Sequence, residues 1–128
     1  MPTFPVVTGD VLTSTIFNGL PAFAVQTAKT VDYTAASGDE YQQLIPMNKA
    51  TAIAFKIPTD ATFAFPVGTV ITVLNIGAGA VTISATTSAT TTILSAGTVA
   101  AQPTLAQYKS AACIKTAANA WYVVGAIA

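Results

Sequence analysis

The sequence predicts an all-β fold: a small antiparallel β-sandwich or barrel-like domain preceded by an extended N-terminal arm. Three observations predict it. Short runs rich in Val, Ile and Thr recur, several of them alternating apolar and polar residues at the period of a strand. Clusters of Gly, Pro, Ser and Asn punctuate those runs. No stretch carries apolar residues at helical spacing over three turns. The division falls near residue 29, with the arm at 1–29 and the β domain at 30–128.

The arm has its own character. Pro2, Pro5 and Pro21 remove backbone donors, and Gly9 and Gly19 loosen the chain. Thr13 is placed to cap a single helical turn through Ile16 and Phe17. Phe4, Val6, Leu12, Ile16, Phe17 and Phe23 are apolar but too irregularly spaced for one helix or strand. Such a segment packs on something else, and these six residues are the candidate partner contacts. A plain edge strand and loop of the same domain is the simpler alternative.

The β domain reads element by element. Thr30 to Thr34 is a strand candidate, and Ala36 to Glu40 a loop. Glu40 to Leu44 suits a short helical turn before Pro46. From Ala50 to Ile57, Thr51, Ile53, Phe55 and Ile57 share one face, and Pro58 ends the run. Pro66-Val67-Gly68 fits a type I turn with the glycine in its fourth place. Thr69 to Ile76 is apolar on both faces, as a strand covered on both sides would be. Gly77-Ala78-Gly79 reads as a hairpin loop permitting positive φ. Ala80 to Ala85 then alternates, with Val81 and Ile83 inward. Thr86 to Thr92 is an exposed Thr/Ser run, Ile93-Leu94 a short strand, and Gly97 to Pro103 a connection. Gln107 to Lys115 and Ala120 to Ile127 close the chain as a hairpin about Ala117-Ala118-Asn119.

Composition bounds the function. Only 8% of the residues are charged, against 52% hydrophobic, and the formal net charge is zero. A domain this small exposes much surface, so so few charges point to surface buried against copies of itself or a partner. Zero net charge weakens colloidal repulsion in the same direction. Without arginine the chain is a poor ligand for nucleic acid, whose binding rests on phosphate neutralisation. No apolar run reaches the length of a membrane span. Met1-Pro2-Thr3-Phe4 has neither the basic nor the apolar region of a secretion signal.

The inventory argues against chemistry. There is no histidine, which removes the common catalytic triads and zinc sites. Cys113 is alone, so it forms no intrachain disulfide and reads as a small buried hydrophobe. The glycine pair at 77 and 79 is not a dinucleotide fingerprint, because Thr82 stands where the third glycine belongs. Asp39-Glu40 lacks the alternate ligands of a calcium loop and reads as a solvated loop. No cofactor or metal is expected. Tyr108, Trp121, Tyr122 and Val124 on the closing hairpin suit core packing, a subunit interface or a glycan platform. Trp121 and Val123 share one face there, with Tyr122 and Val124 on the other.

Three segments carry a resemblance. GDVLTSTIFNGLPAF (residues 9–23) is similar to short N-terminal segments of tailed-bacteriophage structural proteins. FPVGTVITVLNIGAGAVTISA (65–85) and AQYKSAACIKTAANAWYVVGAIA (106–128) resemble a β-rich module of phage head-decoration proteins, head fibres and tail fibres. Its signs are Pro66 to Thr69 entering a strand, Gly77 to Ile83, and the closing hairpin from Lys115 through Trp121 and Val123 to Gly125. The chain departs from the pattern at Ser37 to Tyr41 and has no coiled coil, collagen-like repeat or shaft. The resemblance implies a virion component, commonly a homotrimer, without enzymatic activity. The leading expectation is a capsid cement protein, made in the host cytoplasm and seated on the outer capsid surface. Its partners would be the major capsid protein and its own copies, not nucleic acid or membrane. The alternative is a head- or tail-fibre tip that binds host glycan.

Overall fold

A computed structural model describes residues 25–41, 44–95, 98–99 and 102–127. The described residues are all-β and contain no helix. The strands are β1 (Tyr33–Thr34), β2 (Leu44–Met47), β3 (Ile53–Ile57), β4 (Val70–Asn75) and β5 (Val81–Ala85). They continue with β6 (Thr92–Ser95), β7 (Thr98–Val99), β8 (Thr104–Leu105), β9 (Ser110–Ala117) and β10 (Ala120–Gly125). Two sheets form, ordered β1-β3-β5-β8 and β2-β4-β9-β10-β6-β7. Their inner faces enclose one core, making a small β-sandwich.

The expected antiparallel pairing holds only in part, because both sheets are mixed. From β1 to β6 consecutive strands alternate between the sheets, so the chain coils rather than folding back. A strand that returns to the same sheet after two crossings runs in its former direction. Hence β1 pairs with β3, β3 with β5, and β2 with β4, all parallel. Leu44 faces Thr72 and Ile53 faces Val81, the same sequence offset in both sheets, so one turn of the coil lies squarely on the next. β6 runs parallel to β10. The antiparallel pairs are β4 with β9, β9 with β10, β5 with β8 and β6 with β7.

Gly77-Ala78-Gly79 is therefore not a hairpin loop but a crossing from one sheet to the other. Neither glycine has positive φ. They are needed because this crossing stacks on the preceding one: a Cβ on Gly77 would overlap the backbone of Lys49, and one on Gly79 that of Thr51. Gly79 N–H donates to the Lys49 carbonyl at 2.9 Å, and Ile53 N–H to the Ala80 carbonyl at 3.1 Å. Asn75 braces the crossing from inside the core. Its Nδ2 donates to the carbonyls of Gly79 (2.8 Å) and Leu105 (2.9 Å), and its Oδ1 accepts from Gly77 N–H (3.0 Å). A buried amide so fully paired is stabilising, not a desolvation penalty.

Other local expectations need correcting. The turn before β4 runs Pro66 to Thr69, closed by Thr69 N–H on the Pro66 carbonyl at 3.1 Å. Gly68 is its third residue with φ +94°, the pattern of a type II turn. Leu44, expected to end a short helical turn before Pro46, lies together with Pro46 in β2. Pro46 is tolerated because the residues beside it, Val25 to Lys29, form only isolated bridges with β2. Asp39 is not solvated: it is 4% exposed and accepts from Gln26 Nε2 (2.6 Å), Tyr33 Oη (2.8 Å) and Ala36 N–H (2.8 Å). Burial, and then the carboxylate of Asp39, raise the Tyr33 phenol above its ordinary range. In the Thr-rich run, residues 86–90 are exposed but Thr91 is buried.

The alternation of β3 and β5 is as expected. Ile53, Phe55, Ile57, Val81 and Ile83 are buried, while Lys56, Thr82 and Ser84 lie on the outer face. The closing hairpin also forms, with Asn119 at φ 52° in its turn and a bulge beside Ala120. Lys115 points inward from it, 2% exposed. Its Nζ lies 2.9 Å from Asp60 Oδ1 and donates to the Phe65 carbonyl at 2.6 Å. Asp60 and Asn119 each accept the other's backbone N–H, which ties the loop after β3 to the hairpin tip.

Candidate self-association surface

The two outer faces of the sandwich differ in chemistry. On the four-stranded sheet, Thr34, Lys56 and Ser84 stand in one row, and Ala54, Thr82 and Thr104 in the next. That is a face that water wets readily. The outer face of the six-stranded sheet is largely apolar, with scattered hydroxyls at Thr72, Thr92, Ser110 and Thr116. Leu94, Tyr122, Ile114 and Val70 form one row across β6, β10, β9 and β4. Val124, Ala112, Thr72 and Leu44 form the adjoining row, and Ser110 and Leu74 begin a third. None of these side chains is charged.

Strand alternation creates this face from residues that the core does not take. β9 and β10 direct Ala111, Cys113, Lys115, Trp121 and Val123 inward, all buried. Their alternates must point outward: Ser110, Ala112, Ile114 and Thr116 in β9, and Ala120, Tyr122 and Val124 in β10, none of them charged. Tyr122 is 43% exposed and Val124 49%. A contiguous apolar face rimmed by polar loops is the usual mark of a contact surface.

The structure sorts the candidate residues of the hairpin into three places. Trp121 is in the core, 1% exposed, edge-on to Phe65 with ring centroids 5.7 Å apart. Tyr122 and Val124 are on the outer face of the sheet. Tyr108 is on the turn between β8 and β9, 77% exposed. The candidates Phe4, Val6, Leu12, Ile16, Phe17 and Phe23 lie outside the described residues. The chain enters the described part beside this same sheet. Val25 bridges to Leu44 and Lys29 to Met47, with Gln26 N–H donating to the Leu44 carbonyl at 3.0 Å.

The reactive groups sit in structural settings. Cys113 is fully buried in the core, and loss of water around it pushes the thiol up to about 12. A thiol that hard to ionise is a weak nucleophile. Asp39 and Asp60 are committed to the hydrogen bonds described above. No group of three His, Cys, Asp or Glu residues capable of holding a metal occurs among the described residues. No helix among them is long and apolar enough to cross a membrane.

The apolar face was not visible as a unit in the sequence, since its rows join residues from five strands. Alternation within β10 does signal its central pair, Tyr122 and Val124. Asn75 and Asp39 carried a weaker signal, a polar residue just before a Gly-rich crossing and one just after Ser37-Gly38.

In comparisons with known proteins, no family model, no curated protein and no solved structure matches the chain significantly.

Proposed function

We propose that this chain is a decoration protein of a tailed-phage head, acting as a non-enzymatic homotrimer on the outer capsid surface. The observation that carries the reading is the contrast between the two outer faces of the sandwich: one hydroxyl-rich, the other largely apolar and without charge. Such a face favours burial against further protein, because removing it from water is favourable by roughly 25 cal/mol per Å². The resemblance of residues 65–85 and 106–128 to phage head-decoration modules supplies the kind of assembly. In this reading the six-stranded sheet meets neighbouring copies, and the segment before Val25 attaches to the major capsid protein. Three attachment segments held in one trimer bind with high effective concentration. Binding only the assembled lattice then stabilises it by mass action.

The test is the mass of the purified protein in solution, followed by mixing with undecorated heads, for the full chain and a variant lacking residues 2–20. The expected result is a trimer that binds heads at a fixed ratio per capsomer, with the shortened chain remaining trimeric but no longer binding. A trimer that ignores heads and binds a host glycan would overturn the decoration reading in favour of an adsorption module. A monomer would overturn self-association.

A further inference from the structure

The turn between β8 and β9 holds a tyrosine in an unfavourable backbone state while leaving its ring in water. Tyr108 has φ 66°, in the left-handed region that bulky side chains rarely occupy. It is the third residue of a turn closed by Lys109 N–H on the Ala106 carbonyl at 3.2 Å. With positive φ at that place, Gly or Asn is the usual occupant. The ring is 77% exposed, so its own fold gains little packing from it.

That backbone is nonetheless firmly held. Tyr108 N–H donates to the Asn75 carbonyl at 2.6 Å, and Asn75 N–H to the Lys109 carbonyl at 3.0 Å. These bonds extend the β4–β9 ladder beyond its last registered pair, Leu74 with Ser110. Asn75 is itself fixed by the three side-chain hydrogen bonds that brace the glycine crossing. The result is an exposed aromatic ring on a backbone already held in place, so docking it costs side-chain ordering but little backbone ordering. An exposed outlier with no return inside its own fold points to a role outside it.

We propose that Tyr108 is an anchor of the contact between copies of this chain, its ring docking against the neighbouring copy at the end of the apolar face. The inference rests on the self-association reading. A second copy is favoured over another partner by continuity: the turn prolongs the same β4–β9 ladder that carries the apolar rows, and Leu74 and Ser110, the third row of that face, stand immediately before it.

The experiment compares the wild type with Tyr108→Gly, Tyr108→Asn and Tyr108→Phe in two measurements: the dissociation constant of the assembly by sedimentation, and the melting temperature at a concentration where the chain is dissociated. Gly and Asn relieve the backbone, so both variants melt about 3 °C higher than the wild type. They also lose the ring, so both associate at least about tenfold more weakly. Phe keeps the ring and leaves association unchanged. A lower melting temperature for both Gly and Asn, or association unaffected by ring loss, overturns the anchor. Association intact with binding to undecorated heads abolished would also overturn it, assigning Tyr108 to the capsid. A wild type that is monomeric at every concentration overturns the self-association reading itself, a result distinct from a trimer indifferent to Tyr108.

Discussion

Trp121 and Tyr122 are neighbours in sequence with opposite roles. Trp121 is enclosed by the core and stacked edge-on against Phe65, which in turn meets Phe63 at 4.6 Å between centroids. Its indole N–H has no hydrogen-bond partner, so what it contributes is apolar area and shape. Trp121→Ala is expected to cost about 3–5 kcal/mol of folding stability, measured by denaturant unfolding, with Trp121→Phe costing clearly less. Equal losses would mean that ring contacts do not dominate at this position. Alternation alone separated Trp121 and Val123 from Tyr122 and Val124 in the sequence. What it left open was which set faced the core, and the register with β9 and β6 decided that. Asp39 shows the limit of reading a residue from its neighbours. Its Gly-rich surroundings suggested solvent, but Tyr33, six residues before it, and Gln26, thirteen before it, close over it.

At the level of elements, the crossings between sheets control the architecture. Gly77-Ala78-Gly79 has the composition of a hairpin loop, and nothing local distinguishes a hairpin from a crossing. The difference lies in the backbone of Lys49 and Thr51, which approaches the glycines from the previous turn of the coil. Gly79→Ala is therefore expected to destabilise the fold by at least about 2 kcal/mol through overpacking, although its backbone angle suits alanine. Ala78→Ser, at an exposed position between the two glycines, is expected to change stability by less than about 0.5 kcal/mol. The check is a pair of thermal melts. Equal melting temperatures for the two variants would mean that the crossings are not stacked tightly. The same logic explains why the parallel pairings were not visible in the strands themselves. Period-two alternation reports which side chains turn inward, and it is identical for parallel and antiparallel neighbours.

For the whole molecule, the scarcity of charge becomes a matter of placement. Charged side chains stand on the hydroxyl-rich sheet, as Lys56, on the turns, as Lys109, or in the buried pair of Lys115 and Asp60. Among the described residues, the outer face of the six-stranded sheet receives none. Under the self-association reading, Val124→Glu places a charge in that face at a half-exposed position. The expected outcome is a chain that melts within a few degrees of the dissociated wild type but sediments as a monomer. A variant that keeps the wild-type assembly would remove the six-stranded sheet from the interface.

The sequence by itself determined the all-β class, the two alternating faces of β3, β5 and β10 with Val81 and Ile83 inward, and the shortage of charge that calls for a covered surface. These follow from composition and from alternation within single strands, both local properties. Only the tertiary structure decided that the strands coil between two mixed sheets, that Gly77 and Gly79 serve close packing, and that Leu94, Tyr122, Ile114 and Val70 form one row. Those outcomes depend on which segments meet across long stretches of chain. Such meetings are selected by the burial of the whole core and by the pairing of every buried backbone group, and no single segment carries that information.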